Sequence, residues 1–194
     1  MTGIQFWAQP WWVNLLFLMP IAAFFSLRRG KVQLDWRRLT LIAVFAVAFG
    51  FVEGAVVVYL RAAIGLLPGY MGTLTDLRRS SQGYEQARSI AQFPRSLLTI
   101  EVFREAATML MLVSVAFLAA RTSAERWAVF LWAFATWDIT YYAALWATVR
   151  WPASLKDIDV LFLIPVPWIS QVWFPILVSG FTLATLALAK NRSR

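Results

Sequence analysis

Residues 40 to 67 form an uninterrupted run whose only charged side chains are Glu53 and Arg61. A hydrocarbon core ~30 Å thick takes about 20 residues of helix, and every backbone N–H and C=O within it must bond inside the chain. A sequence that repeats such runs is committed to membrane helices before any side chain is considered. Four more occur, at 11–27, 97–120, 127–149 and 167–189. Pro20 and Pro175 lie inside the first and last, where membrane helices tolerate proline as a kink. The expected fold is an all-α integral membrane bundle of five transmembrane helices, one domain over residues 1–194. Composition agrees, since 60% of residues are apolar and 14% charged against roughly 45–50% and 25% in soluble domains. A water-soluble fold cannot hide that excess.

Two segments are not expected to span. The stretch DIDVLFLIPVPW, 157–168, has an apolar middle too short to cross and is closed by two prolines, so it reads as a re-entrant or surface loop that caps the bundle after helix 4. Residues 68–96, with Pro68, Gly69, Gly72, Gly83 and a polar stretch, could lie along the membrane surface. No basic residue precedes the first run and Arg28, Arg29 and Lys31 follow it, which argues against a cleaved signal peptide and puts the N-terminus outside. Five spans then leave ten Lys and Arg on the cytoplasmic side against seven outside, favouring a cytoplasmic C-terminus. The net charge of +8 follows from a basic rim facing anionic lipid and requires no nucleic acid.

The chain has no Cys and no His. Within it that excludes disulfides, Cys-ligated iron–sulfur clusters, zinc sites built on His or Cys, His-ligated haem and Ser–His catalysis. Lys31, Lys156 and Lys190 all fall outside the apolar runs, which disfavours a buried Schiff-base lysine. No particular cofactor is indicated. Chemistry here must rest on carboxylates, Arg, hydroxyls, aromatics or a partner.

With Arg61 counted with the outer rim, five ionisable groups fall inside the runs: Glu53, Glu101, Arg104, Glu105 and Asp138. Each costs roughly 2.5–3.5 kcal/mol at a helix centre, so an intramembrane charge is a functional-site hypothesis by default. A rise of about 1.5 Å per residue puts Glu53 roughly 10 Å, Glu101 about 6 Å, Glu105 about 12 Å and Asp138 about 13 Å below the outer boundary. Glu101, Arg104, Glu105 and Thr108 share one helical stripe, and Asp138, Tyr141 and Tyr142 repeat that spacing. Beside Glu53, Ala46, Gly50 and Gly54 make a small-residue seam where another helix can approach backbone to backbone. One ligand or ion site between helices two, three and four is therefore expected, formed by Glu53, Glu101, Arg104, Glu105, Asp138, Tyr141 and Tyr142 under the lid of 157–168. Its metal candidates are Glu53, Glu105 and Asp138. The plainer alternative is that Arg104 pairs with Glu53 or Asp138 as structural glue, although one Arg cannot neutralise four acids. Trp7, Trp11, Trp12, Trp127, Trp151 and Trp168 lie near span ends and are expected as interfacial anchors.

The strings FGFVEGAVVVYLR, FREAATMLML, FWAFATWDITYYAALW and WPASLKDIDVLFLIPVPW resemble those of a group of small, uncharacterised multi-pass bacterial membrane proteins, over about residues 48–178. The resemblance implies a bacterial polytopic protein of the cytoplasmic (inner) membrane and lends no activity. The expected function is that of a binding or accessory membrane protein, either a subunit of a larger complex with other membrane subunits or a holder of a cation or small ligand in contact with the lipid bilayer. Alternatives are a proton- or cation-coupled carrier or channel, and a membrane enzyme using carboxylate-bound Mg²⁺ or Ca²⁺ on an outer-leaflet substrate. Binding is favoured over catalysis.

Overall fold

The computed structural model describes residues 7–29, 35–63, 71–73, 75–76 and 94–191. Residues 64–67, most of 68–96 and the basic tail lie outside the described residues. A 3-10 helix, Trp11–Leu18, continues directly into α1 (Met19–Arg29). The change of winding falls at Met19 and Pro20, where proline removes an N–H from the ladder. Then come α2 (Trp36–Ala63), α3 (Arg95–Ala119), α4 (Ser123–Val149), a hairpin of β1 (Ile158–Phe162) and β2 (Trp168–Gln171), and α5 (Trp173–Asn191).

Three of these helices, α2, α3 and α4, are long and apolar enough to cross a membrane. With 28, 25 and 27 residues they extend about 42, 37 and 40 Å. Their ends are marked by side-chain and backbone chemistry. Asp35 Oδ1 accepts the Arg38 N–H at 2.7 Å at the start of α2, and Pro94 precedes α3. Thr122 and Glu125 bond reciprocally, each N–H to the other's side-chain oxygen at 3.3 Å, a capping box that starts α4. Helix α4 ends at Arg150, whose left-handed backbone (φ 59°) lets its N–H return to the Trp146 carbonyl at 3.1 Å.

Helix α4 is the centre of the molecule. Of its most apolar window 56% is buried, against 22% for α3. It packs on α2, α5 and α3, while α1 packs on α5. The contact with α2 runs through the expected small-residue seam: a Cβ at Gly50 would lie 2.7 Å from the Trp137 carbonyl oxygen and 2.9 Å from Thr140 Cβ, and one at Gly54 would lie 3.1 Å from Ala144 Cβ. Only glycine allows the two backbones to lie so close. Apolar side chains gather in three clusters, around Leu112, Leu131 and Ala133, around Val57, Leu145 and Val172, and around Val13, Phe174 and Val178.

The hairpin departs from the all-α expectation. Residues 157–168 were expected as an irregular cap, and 167 as the start of the last span. Instead, Ile158 pairs with Gln171 and Val160 with Ile169 in antiparallel register, with an irregularity between Val160 and Phe162. Gln9 and Ile169 exchange both backbone hydrogen bonds, at 2.8 and 2.7 Å, on the other edge of β2. With its backbone bonded on both sides, β2 stays extended and α5 begins only at Trp173. Pro175 thus falls in the first helical turn, where its missing N–H has no partner to lose, and no kink is required there.

Candidate functional site

Helix α3 reaches α2 chiefly through polar side chains. Arg104 of α3 forms an ion pair with Glu53 of α2 and a second with Glu101 one turn back on its own helix, at 2.5 Å from Oε1 and 3.0 Å from Oε2. The Thr108 hydroxyl donates to Glu53 Oε1 at 2.9 Å. One guanidinium thus holds two carboxylates, as a planar fork of donors can, and Glu53 takes a second donor, the Thr108 hydroxyl, from the next turn of α3. The spacing of Glu101, Arg104 and Thr108 along one stripe makes this possible.

Behind this bridge lies a cavity of about 640 Å³. Its wall includes Glu53, Glu101, Arg104, Glu105, Asp138, Tyr141 and Tyr142, so all seven residues singled out from the sequence meet one space. The remaining wall is apolar and aromatic: Met109, Phe130, Phe134, Trp137, Phe162, Trp168, Phe174 and Val178 among others. Phe134 stands 5.5 Å from Trp137 and 6.4 Å from Phe162, and Trp137 stacks 6.2 Å from Tyr141, measured between ring centres. The cavity lies where the three apolar clusters meet, and the hairpin contributes Asp159 to Ile164 and Trp168 to its wall.

Each acid on the wall has a donor. The Leu163 N–H, at the end of β1, bonds Glu105 Oε2 at 2.8 Å. The Ser179 hydroxyl of α5 bonds Asp138 Oδ2 at 2.8 Å. Asp159 accepts from the Tyr142 hydroxyl at 2.7 Å and from the Val160 N–H at 2.8 Å. Burial pushes the Asp159 carboxyl from the ordinary 3.8 up to about 6, against the opposing pull of the Tyr142 hydroxyl, Arg61 and the Val160 amide. Arg61 is itself 1% exposed and lies 5.1 Å over the ring centre of Trp151, a desolvated cation–π contact.

Several of these partners carried no signal in the sequence. Arg61 was counted with the outer rim and Asp159 with a surface loop, yet both are buried on the cavity side of the hairpin. Ser179 and the Leu163 amide come from elements distant in sequence, and no spacing rule connects them to Asp138 or Glu105. Of the expected anchors, Trp7, Trp11 and Trp127 are exposed. Trp151 is 2% exposed, and Trp168 is partly buried on the cavity wall, edge-on to Trp12 at 5.1 Å. The reason is tertiary: the hairpin folds their segment back over the helices. Among the described residues, no three acids converge as a metal-ligand set; Glu53, Glu105 and Asp138 each answer a different donor.

The fold and site define a mostly helical protein with three helices long and apolar enough to cross a membrane, and with an amphipathic cavity. No family model, curated protein or solved structure matches the chain.

Proposed function

We propose that this is a multi-pass inner-membrane binding protein that holds a small amphipathic molecule in the cavity behind Arg104, with five spans, the N-terminus outside and the C-terminus in the cytoplasm. The observation that carries the reading is the cavity itself: about 640 Å³, within the roughly 300–1,000 Å³ usual for small-molecule sites, with largely apolar walls and a few convergent polar groups. Helix lengths support the span count. A 3-10 rise of ~2 Å per residue lets 11–29 extend about 32 Å, and the 19 residues of α5 extend about 28 Å. A defined stoichiometric complex on mild purification would identify it as a subunit beside other membrane proteins, and its absence as a protein that acts alone.

The test is extraction of the purified, detergent-solubilised protein with organic solvent followed by mass spectrometry. A molecule present in stoichiometric amount in the wild type and lost in Ala106→Trp, which fills the cavity, is the expected result. No bound molecule in the wild type, with Ala106→Trp simply more heat-stable, would reduce the cavity to a packing defect. The excess of acids over arginines on the wall favours a second reading, a proton- or cation-coupled carrier. Vesicles containing the protein and a pH-sensitive dye would then show proton movement abolished by Glu105→Gln or Asp138→Asn.

A further inference from the structure

Resting on that reading of the cavity, we infer that its occupant is a lipophilic organic cation, an ammonium with N–H donors on an apolar body, received by the carboxylates of Glu105 and Asp138. What leads there is which acid oxygens the protein satisfies and which it leaves open. Glu53 has both oxygens engaged, by Thr108 and Arg104, and so has Asp159, by Tyr142 and the Val160 amide. Glu101 gives both of its oxygens to Arg104. Glu105 and Asp138 differ. The Leu163 amide donates only to Oε2 of Glu105, and the Ser179 hydroxyl only to Oδ2 of Asp138. Among the described residues, Glu105 Oε1 and Asp138 Oδ1 have no donor. Both residues are buried, at 7% and 9% exposed, yet neither of these oxygens is sealed from water. The space they open on is the cavity whose wall both residues form.

The same two acids lack a protein counter-ion. Arg104 is committed to Glu53 and Glu101, and Arg61 acts on Asp159. An ionised carboxylate in so apolar a space is too costly to keep without a cation or a proton. The rest of the wall selects the kind of cation. Mg²⁺ or Ca²⁺ wants about six or more oxygens around it, and among the described residues no three acids converge to supply them. An ammonium needs only one acceptor for each N–H, and its charge is favoured beside aromatic rings. Phe134, Trp137 and Tyr141 flank Asp138 on α4, in a row with ring centres 5.5 and 6.2 Å apart. Phe162 of the hairpin extends the row, 6.4 Å from Phe134. The apolar remainder of the cavity takes the body of the molecule.

The experiment measures equilibrium binding of four probes to the full-length protein in a non-ionic detergent at neutral pH: decylammonium, decyltrimethylammonium, decanol and decanoate. Decylammonium should bind more tightly than decanol, and more tightly than decyltrimethylammonium, which keeps charge and chain but has no N–H. Glu105→Gln and Asp138→Asn should each weaken decylammonium about 10- to 100-fold, the loss of one hydrogen bond to a charged group, and leave decanol unchanged. Each amide keeps an oxygen for the Leu163 or Ser179 donor, so the changes address the open oxygen; if one variant does not fold, the other carries the test. Decanol bound as tightly as decylammonium would overturn the inference and leave the cavity reading standing. So would decylammonium binding indifferent to both changes, or equal or tighter binding of the trimethyl probe. Preference for decanoate would overturn it in favour of recognition by Arg104. A melting temperature raised by Mg²⁺ or Ca²⁺, with no response to decylammonium, would overturn it in favour of a metal ion. Binding of no probe, with nothing co-extracted, would sink the cavity reading as well.

Discussion

Arg104 answers two acids at once, Glu53 across the α2–α3 gap and Glu101 on its own helix. Arg104→Leu strands both carboxylates, and breaking one side of a buried pair typically costs ~3–5 kcal/mol. Adding Glu53→Gln should restore part of the lost thermal stability, whereas adding Asp138→Asn should restore none, since Asp138 bonds Ser179 instead. Equal rescue by both would mean that the pairing is wrong. Asp159 offers a second test at this scale. Its carboxyl is raised from 3.8 to about 6 in the folded protein, so folding binds a proton there. Its contribution to stability is full below the unfolded value and is lost as pH rises from 3.8 to about 6. Melting temperatures across that window should fall with pH more steeply in the wild type than in Asp159→Asn. Parallel slopes would contradict the assignment.

Packing of whole elements is decided by the α2–α4 seam. Gly50 has no room for a Cβ, with the Trp137 carbonyl oxygen at 2.7 Å, and backbone cannot move aside as a flexible side chain can. Gly50→Ala should therefore cost about 1–3 kcal/mol by overpacking. Gly180 on α5 meets nothing within 4 Å, so Gly180→Ala should leave the melting temperature unchanged or raise it, as alanine favours helix over glycine. Comparable losses at both sites would show that the seam is not what sets the interhelical distance. The seam was legible in the sequence, because Ala46, Gly50 and Gly54 recur on one face beside Glu53. Its partner was not, since several helices could have used it.

Across the whole molecule, the proposed five spans place both ends of the chain on opposite sides of the membrane. A reporter fused after Arg194 should behave as cytoplasmic, and one fused ahead of Met1 as periplasmic. A periplasmic signal from the C-terminal fusion would remove one span from the count. The same arrangement puts the hairpin and the polar cavity at the outer end of the bundle, so cysteines introduced at Leu155 and Lys156, both exposed beside the hairpin, should react with a membrane-impermeant thiol reagent in intact cells. Labelling only after the membrane is broken would invert the topology.

What the sequence determined by itself is what local rules govern: apolar length, which demands helices; i, i+3, i+4 spacing, which puts Glu101, Arg104 and Thr108 on one stripe; small residues, which mark a close contact. These depend on neighbours within one or two turns, and no tertiary information is needed to read them. Only the tertiary structure decided that residues 158–171 pair as a hairpin, because strand pairing joins backbone groups that no side-chain pattern identifies in so short an apolar segment. The hairpin in turn buries Asp159 against Tyr142, brings the Leu163 amide to Glu105 and turns Trp168 from an expected membrane anchor into cavity wall. Long-range hydrogen bonds leave no periodic trace in a chain, so the acids could be found by reading it, and their partners could not.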